Sequence, residues 1–251
     1  MPRSRRLVPA LCALAAVSAL GACAYNEALG RSQLLLVDSA SLNQQSNAAW
    51  QEALRTQKAA TTGAQVDRIR RVGGRLVQAA GLADRSWDYA VFSDDSPNAF
   101  VLPSGQIGVT SGLLALVRND DQLASVIGHE IGHVVAHHAA ERSSTSALSS
   151  LALQIGTRAA GDYGQAVGAY GGLAAQYGVL LPYSRRDELE ADRLGVDYMA
   201  AAGFKPSEAV ALWRLMAAQR QGGVPQFAST HPSDDTRIDM LQQYIASRGW
   251  N

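Results

Sequence analysis

Cysteine is nearly absent from this chain, which limits how the fold could be cross-linked. The 251 residues contain only Cys12 and Cys23. Cys12 lies in an N-terminal stretch that we expect to be removed, so the mature chain would keep Cys23 alone and could form no internal disulfide. A single remaining cysteine needs another role, and attachment of lipid is one.

The sequence also lacks an excess of charge of either sign. It has 22 Lys and Arg against 22 Asp and Glu. Loss of residues 1–22 would remove three arginines and no acid, which leaves 19 basic against 22 acidic residues and a net charge of −3. A weakly acidic chain argues against nucleic acid as a partner. No internal repeat stands out, and about 230 residues are enough for one substantial core.

No segment after residue 22 is a convincing membrane span. The nearest candidate, residues 143–183, is rich in Ala and Gly and has no charge from Tyr163 to Tyr183. Within the uncharged part, the many glycines and two glutamines disfavour a spanning helix. We interpret the segment as a pair of packed helices or a mobile cover over a functional cleft, with insertion into a membrane as the alternative.

The N-terminus has the pattern of an export signal. Residues 1–6 include three arginines and no acid. Residues 7–20 are uncharged, mostly apolar and too few to span a bilayer. They end in L-G-A-C, which resembles the lipobox of bacterial lipoproteins. We therefore predict a lipoprotein signal peptide over residues 1–22 and acylation of Cys23. Residue 24 is Ala rather than Asp, which by resemblance to Gram-negative lipoproteins implies a location at the periplasmic face of the outer membrane. The alternative is an ordinary secretory signal with an incidental cysteine.

The spacing of apolar residues after the signal predicts an α+β protein that is mainly helical. Residues 23–60 are interpreted as an N-terminal tether or helix, and residues 61–251 as the main domain. The main domain is predicted to contain a helix at 65–80, strands at 87–92, 98–102 and 106–110 in a small antiparallel sheet, and a helix that a capping box starts at 119–122.

The most informative motif is H-E-I-G-H at residues 129–133. Histidines four residues apart on a helix share a face, so the imidazoles of His129 and His133 can converge on one metal ion. Glu130, about 100° round the helix, can reach a water at the metal without being a ligand. Apolar residues at helical spacing run through the motif and place it in a buried helix; a chance pentapeptide is the alternative.

A catalytic zinc site needs a third protein ligand and an open position for water. The candidate follows Ser184 and Asp187, which have the pattern of a helix start. Glu188 and Asp192 are again four residues apart and share a face, while Glu190 points elsewhere. We assign Glu188 as the third ligand and Asp192 as the acceptor of an N–H from a ligating histidine. A solvated acidic first turn is the alternative.

The motifs together resemble the HtpX and CAAX prenyl endopeptidase family of zinc metalloendopeptidases, and within it the exported bacterial lipoprotein members of BepA and LoiP type. They are N-A-F and P-S-G within 98–105, T-S-G-L-L at 110–114, H-E-I-G-H at 129–133, E-L-E-A-D at 188–192 and T-H-P at 230–232. The resemblance implies a zincin-like, gluzincin domain with the small sheet beside the zinc helix, and one Zn²⁺ per chain with Glu188 as a ligand. The lack of long apolar segments disfavours a prenyl-protein protease.

Three further histidines need an interpretation. The resemblance places His231 near the active site, where it would donate to a developing oxyanion or cover the open metal position; a helix-entry residue before Pro232 is the alternative. His137 is four residues from His133, but a third ligand from the same helix would be poorly placed at a tetrahedral ion. We therefore predict structural or surface roles for His137 and His138.

The implied chemistry is metal-assisted hydrolysis of peptide bonds. Glu130 would take a proton from a zinc-activated water and pass it to the leaving amine, while zinc and His231 hold the oxyanion. We expect the strand around Asn98, Ala99 and Phe100 to bind substrate as an added β-strand. Two histidines and one carboxylate favour zinc over other divalent ions.

Two functions of different classes remain open. The first is a lipid-anchored endopeptidase of the bacterial envelope that degrades unfolded, misfolded or misassembled envelope proteins. The second is a chaperone or assembly factor for outer-membrane proteins whose zinc site is closed by His231 or by residues 143–183. The sequence indicates no oligomeric state.

Overall fold

The protein is mainly helical, as seen in a computed structural model that describes residues 23–159, 183–218, 231 and 235–250. Its helices are α1 (Ser39–Thr56), α2 (Ala64–Ala79), α3 (Ser111–Leu116), α4 (Asp120–Val135), α5 (His138–Ala159), α6 (Arg185–Ala201), α7 (Ser207–Ala218) and α8 (Asp235–Ser247). Its strands are β1 (Cys23–Asn26), β2 (Arg31–Leu34), β3 (Ala59–Ala60), β4 (Asp88–Phe92), β5 (Ala99–Leu102) and β6 (Gln106–Thr110). The predicted α+β, mainly helical class is confirmed.

The chain divides into two compact units. The smaller contains residues 1–39 and 139–179, and the larger contains residues 40–138 and 180–251. The domain boundaries predicted after residues 22 and 60 stay predictions. The predicted signal peptide and residues 160–182 of the Ala- and Gly-rich segment lie outside the described residues. Within the described ranges, no helix is long and apolar enough to cross a membrane.

In the smaller unit, β1 and β2 form an antiparallel hairpin in which Cys23 lies opposite Leu34. Cys23 is exposed. Glu141, near the start of α5, accepts hydrogen bonds from both terminal nitrogens of Arg31 at 2.9 and 2.8 Å, and from the side-chain amide of Gln33 at 2.6 Å. These charge-assisted hydrogen bonds hold the N-terminal hairpin on the helix.

The larger unit contains a four-stranded sheet in the order β3-β4-β6-β5. The β5–β6 pair is antiparallel, as predicted for strands joined by a tight turn, and β3 also pairs antiparallel with β4. The β4–β6 pair is parallel, with Asp88 opposite Gln106 and Phe92 opposite Thr110. The predicted small antiparallel sheet is thus confirmed in the β3–β4 and β5–β6 pairs, and the parallel β4–β6 pair is a feature that the sequence did not predict. The returning strand β6, rather than β5, docks on β4, which leaves β5 at the edge.

The core of the larger unit packs helices α2 and α4 against each other and against the sheet. The buried residues of α2 repeat at the predicted helical spacing and are Val66, Ile69, Val72, Gly73, Leu76 and Val77. The side-chain oxygen of Asn119 accepts a hydrogen bond from the backbone N–H of Gln122 at 2.8 Å, so α4 begins where the sequence predicted. Each buried aliphatic side chain in this core contributes about 1.5–3 kcal/mol.

Glycines allow α4 and α6 to pack with their backbones in contact. A Cβ atom at Gly132 would lie 2.7 Å from the carbonyl oxygen of Ala191, and a Cβ at Gly195 would lie 2.8 Å from the backbone nitrogen of His129. Both distances are too short for unstrained contact, so any larger residue would push the two helices apart. This close approach brings the histidines of α4 to the acidic residues of α6.

Candidate metal centre

The two histidines of the H-E-I-G-H motif lie on the buried face of α4. Only 2% of His129 and 4% of His133 is exposed. Their Nε2 atoms lie 3.1 Å apart, because one helical turn separates the residues and stacks the rings on one face. Two imidazole nitrogens that face each other at this distance form one side of a possible metal site.

Glu188 adds a carboxylate to this pair. It lies in the first turn of α6, which starts at a capping box between Ser184 and Asp187. Its Oε2 lies 3.5 Å from Nε2 of His129, and its Oε1 lies 3.5 Å from Nε2 of His133. These separations match the edges, roughly 3.3 Å long, of a tetrahedron of ligands about 2.0–2.1 Å from a zinc ion. The donor set therefore fits Zn²⁺.

His231 brings a fourth donor to the same place. Its Nδ1 lies 3.0 Å from Oε1 of Glu188 and 3.2 Å from Nε2 of His129. One donor atom from each of the four residues His129, His133, Glu188 and His231 falls within 4.8 Å of the others. The other ring nitrogen of His231, Nε2, lies 3.3 Å from Oε1 of Glu130. The ring can thus reach either the metal or a reacting group beside Glu130.

Glu130 lies beside the donor set and is itself buried, with 6% of the residue exposed. Within the described part of the chain, its Oε1 accepts no hydrogen bond. A buried carboxylate oxygen without a hydrogen bond costs free energy, so this atom is suited to a group that binds during the reaction, such as water. Burial raises the pKa of the Glu130 carboxyl above its ordinary value, which suits a group that must accept and return a proton.

Asp192 accepts a hydrogen bond from Nδ1 of His129 at 2.9 Å, which leaves Nε2 of that ring to the metal. Behind it lies Arg237 of α8, which donates to both oxygens of Asp192 at 2.6 and 2.7 Å. Another guanidinium nitrogen of Arg237 lies 2.6 Å from Oε2 of Glu188. The central carbon of the same guanidinium lies 4.1 Å from the ring centre of Trp213. Arg237 thus orients two acidic residues at once.

The charges around the centre act differently on its ionisable groups. Burial alone would lower the pKa of His129, but hydrogen bonds to Asp192 and Glu188 raise it to about 9. Burial lowers the pKa of His133 well below its ordinary value. Burial by itself would raise the pKa of Glu188, but hydrogen bonds with the three imidazoles hold it far below the usual range. Glu188 is therefore an anion able to bind a cation.

The predicted substrate-binding residues lie on the edge strand next to α4. Ala99 is buried in the core, and Phe100 packs its ring against Trp50 and Phe92 at 6.2 and 5.6 Å between ring centres. The backbone N–H of Asn98 donates to the hydroxyl of Thr110 at 2.8 Å. The side chains of Ala99 and Phe100 serve packing, so the backbone of the strand is what they leave for pairing with a peptide. Cys23 belongs to the smaller unit.

Sequence reasoning missed several residues that organise the centre. Arg237 occupies the same helical stripe as the buried Leu241 and Ile245, and a charge on an apolar stripe is the signal that could have revealed it. The α4 glycines at 128 and 132 are also one turn apart, a spacing that permits close helix packing. His138 and Glu190 were assigned away from the site, yet Nε2 of His138 lies 2.9 Å from Oε2 of Glu190.

Comparisons with known proteins place this centre in a family. Residues 64–245 match Peptidase family M48. The chain is 37% identical over 179 residues to the mitochondrial metalloendopeptidase OMA1 of Schizosaccharomyces pombe, covering 70% of this chain and 52% of that protein. It is 29% identical over 238 residues to the mitochondrial metalloendopeptidase OMA1 of Homo sapiens, and the match covers 86% of this chain and 44% of that protein.

A third relative is the beta-barrel assembly-enhancing protease of Escherichia coli, 29% identical over 182 residues, covering 68% of this chain and 37% of that protein. The chain thus spans about half, or less, of the length of these curated relatives. The expected resemblance to BepA-type proteins is present, but the sequence identity to the E. coli protease, 29%, is lower than the 37% to OMA1 of S. pombe. The predicted metalloprotease assignment is confirmed at the level of the family: this chain belongs to peptidase family M48.

Proposed function

We propose that this chain is a zinc-dependent endopeptidase that hydrolyses peptide bonds of misfolded or misassembled proteins of the bacterial envelope. The observation that carries the proposal is the convergence of His129, His133 and Glu188 beside a buried carboxylate, Glu130, one oxygen of which accepts no hydrogen bond from the described residues. Three protein ligands with a general base alongside are the usual composition of a catalytic rather than a structural zinc site.

His129, His133 and Glu188 would hold the zinc ion. When bound, Zn²⁺ supplies Lewis acidity, which polarises a water and the carbonyl of the peptide bond. The proposal draws support from the donor types and from the contact of Nδ1 of His129 with Asp192, which directs Nε2 toward the metal. The family membership of the chain also supports a metallopeptidase.

Glu130 acts as the general base. Its Oε1 accepts a proton from the attacking water, and the same carboxyl later gives that proton to the leaving amine. The raised pKa of Glu130 makes its carboxylate a stronger base than an ordinary Glu, which helps it to take the proton and hold it until the amine leaves.

His231 is the second candidate catalytic residue. Its Nε2 lies 3.3 Å from Oε1 of Glu130, so an N–H at this position can donate to negative charge that develops on the carbonyl oxygen of a substrate bound there. Donors of this type typically contribute about 10²–10³-fold to the rate.

Substrate would bind as an extra strand on β5. Among the described strands, β5 pairs only with β6, so its other edge has backbone groups that can hydrogen-bond an extended peptide. The strand contacts α4, which carries the catalytic motif. Recognition of a backbone rather than of particular side chains gives endopeptidase action on many unfolded chains. Ala99 and Phe100 would contribute through their main chain, whereas the N–H of Asn98 already donates to Thr110.

The location rests on the N-terminal motif. Cys23 is exposed and would carry the lipid that holds the protein at the periplasmic face of the outer membrane. The beta-barrel assembly-enhancing protease relatives support an envelope role, whereas other relatives are named as mitochondrial. Mass spectrometry of the mature N-terminus is the test, and an unmodified residue at position 23 would exclude the anchor.

The decisive experiment compares zinc content and cleavage in wild type and Glu130→Gln, with casein or an unfolded outer-membrane protein as substrate. The substitution removes the base without removing a ligand, so we expect cleavage to fall by about 10²–10⁴-fold while one zinc stays bound. Glu52→Gln, an exposed Glu of α1, is the matched control and should cleave like wild type. Undiminished cleavage by Glu130→Gln would exclude this mechanism.

A second candidate function is a chaperone or assembly factor with a latent zinc site. The observation that favours it is the position of Nδ1 of His231 within reach of the same metal position. His231→Ala separates the two. The peptidase proposal predicts slower cleavage because an oxyanion donor is lost, whereas latency predicts faster cleavage because the fourth position opens.

A further inference from the structure

The zinc helix ends just before His138, and this break puts His138 against His133. Helix α4 ends at Val135, and α5 begins at His138. In an unbroken helix a residue five positions after His133 would point about 140° away from it. Instead, the Nδ1 atoms of the two rings lie 2.8 Å apart.

A strained residue makes this contact possible. His137 has φ of 52° and is the only non-glycine residue with positive φ in the described part of the chain. The left-handed conformation is unfavourable for a residue with a side chain. Such backbone conformations persist where the surrounding structure requires them, and they concentrate at functional sites. The strain therefore points to a role for the residue that it positions, His138.

With both rings neutral, the hydrogen-bond partners assign the hydrogen on each ring. Nε2 of His138 lies 2.9 Å from a carboxylate oxygen of Glu190, which can only accept, so this nitrogen carries the hydrogen. Nδ1 of the neutral His138 ring is then an acceptor. Nδ1 of His133 must donate to it across 2.8 Å. The remaining nitrogen of His133, Nε2, keeps its lone pair on the side that faces His129 and Glu188.

Burial protects this chain of hydrogen bonds from water. His138 is 1% exposed. The ring of Tyr183 stacks on His133 with 4.0 Å between ring centres and an angle of 27°, and it lies 6.2 Å from the ring of His138. Hydrogen bonds that exclude water hold their geometry better than exposed ones, because no solvent molecule competes for donor or acceptor.

We propose that His138 and Glu190 form a relay that holds His133 in the tautomer and orientation needed to bind the metal. They are positioning residues, since they act through His133 and contact neither substrate nor metal. The relay does for His133 what Asp192 does for His129. The proposal rests on the proposed zinc peptidase function, and it assigns a role to two residues that the sequence placed away from the site.

The neighbouring Asp187 suggests another use of the same residues. Donor atoms of His138, Asp187 and Glu190 also lie within 4.8 Å of one another. A metal ion there would take the Nε2 lone pair of His138 and remove its hydrogen bond to Glu190. The two arrangements exclude each other, so the number of zinc ions bound per chain distinguishes them. The relay requires one.

The test measures zinc affinity of the full chain by chelator competition in a Glu130→Gln background, so that cleavage plays no part. His138→Leu keeps the buried volume but removes the acceptor, and we expect zinc affinity to fall by about 10–100-fold. His138→Asn restores an acceptor close to the position of Nδ1 and should recover most of that loss. His137→Gly is the neighbouring control and should bind zinc like the parent.

A second readout separates the relay from simple packing. Long-range ¹H–¹⁵N spectra of the zinc-loaded protein should show hydrogen on Nδ1 of His133 and on Nε2 of His138. Hydrogen on Nδ1 of His138, equal zinc affinity in all variants, or two zinc ions per chain would each overturn the relay. If the parent itself binds no zinc, the proposed function fails instead, and the two failures are therefore distinguishable.

Discussion

The two histidines of the metal centre are supported from opposite sides by different chemistry. Nδ1 of His129 donates directly to Asp192, whose charge is balanced by the buried Arg237. Nδ1 of His133 meets the imidazole of His138 instead. The same pair of ligands from one helix turn therefore lies between a buried ion pair on one side and a stack of rings on the other.

The two ligand histidines also differ in how strongly they hold a proton. The anionic partner of His129 offsets the effect of burial and raises its pKa to about 9. His133 has a ring as its Nδ1 partner, and burial lowers its pKa well below the ordinary value. A metal ion must displace a proton from the first ligand but not from the second.

The largest effect is expected from breaking the ion pair on the His129 side. Arg237→Met leaves Asp192 buried at 3% exposure without its cation. We expect the free energy of unfolding to fall by about 3–5 kcal/mol, measured by urea unfolding with chelator present. His138→Leu should cost less, about 1–3 kcal/mol, because it leaves polar groups rather than a buried charge unpaired.

A double substitution checks the cause of that loss. Arg237→Met combined with Asp192→Asn removes the orphaned charge and keeps an oxygen that accepts from His129, so part of the stability should return. An equal or larger loss in the double variant would show that the charge of Asp192 does not account for the effect, which would then come from the contacts of Arg237 with Glu188 and Trp213.

The next effect is on pH dependence. His129 has a folded pKa of about 9 against 6.5 in the unfolded chain, so its proton stabilises the fold fully below pH 6.5. In protein stripped of metal by chelator, that contribution should be lost as pH rises from about 6.5 through 9, by at most about 3 kcal/mol. Urea unfolding at both pH values measures it.

The matched variants locate this pH effect on one side of the centre. Asp192→Asn removes one of the two carboxylates that raise the pKa of His129, the other being Glu188, and should reduce the alkaline loss. His138→Asn should leave the alkaline loss of stability unchanged. The pKa of His133 is lowered, so His133 affects the pH dependence of stability only below pH 6.5. A flat profile in the stripped wild type would contradict the assigned charge difference between the two ligands.

The smallest effect concerns the strained residue between α4 and α5. Glycine adopts positive φ without steric conflict, so His137→Gly should raise the free energy of unfolding by up to about 1 kcal/mol despite the greater freedom of glycine in the unfolded chain. His137→Val, a β-branched residue at φ of 52°, should lower it. Thermal unfolding of the three proteins ranks them, and a more stable Val variant would contradict the strain.

Local rules recovered much of the fold. The apolar stripe of α2, the Asn119 cap of α4 and the capping box at Ser184 depend on residues within one or two turns of each other, and each lies where the sequence predicts. The same reasoning predicted the metal donors, because His129 and His133 share a face through helical periodicity alone.

The sequence by itself determined the elements and the chemistry that α4 presents. This helix is capped and buried, and its two histidines share one face with a glutamate beside them. Only the tertiary structure decided the parallel pairing of β4 with β6, the placement of Arg237 against Asp192, and the contact of His138 with His133. Periodicity acts over a few residues of one element. These contacts instead depend on how glycine-mediated helix packing and one left-handed residue bring separate segments together, which no local pattern encodes.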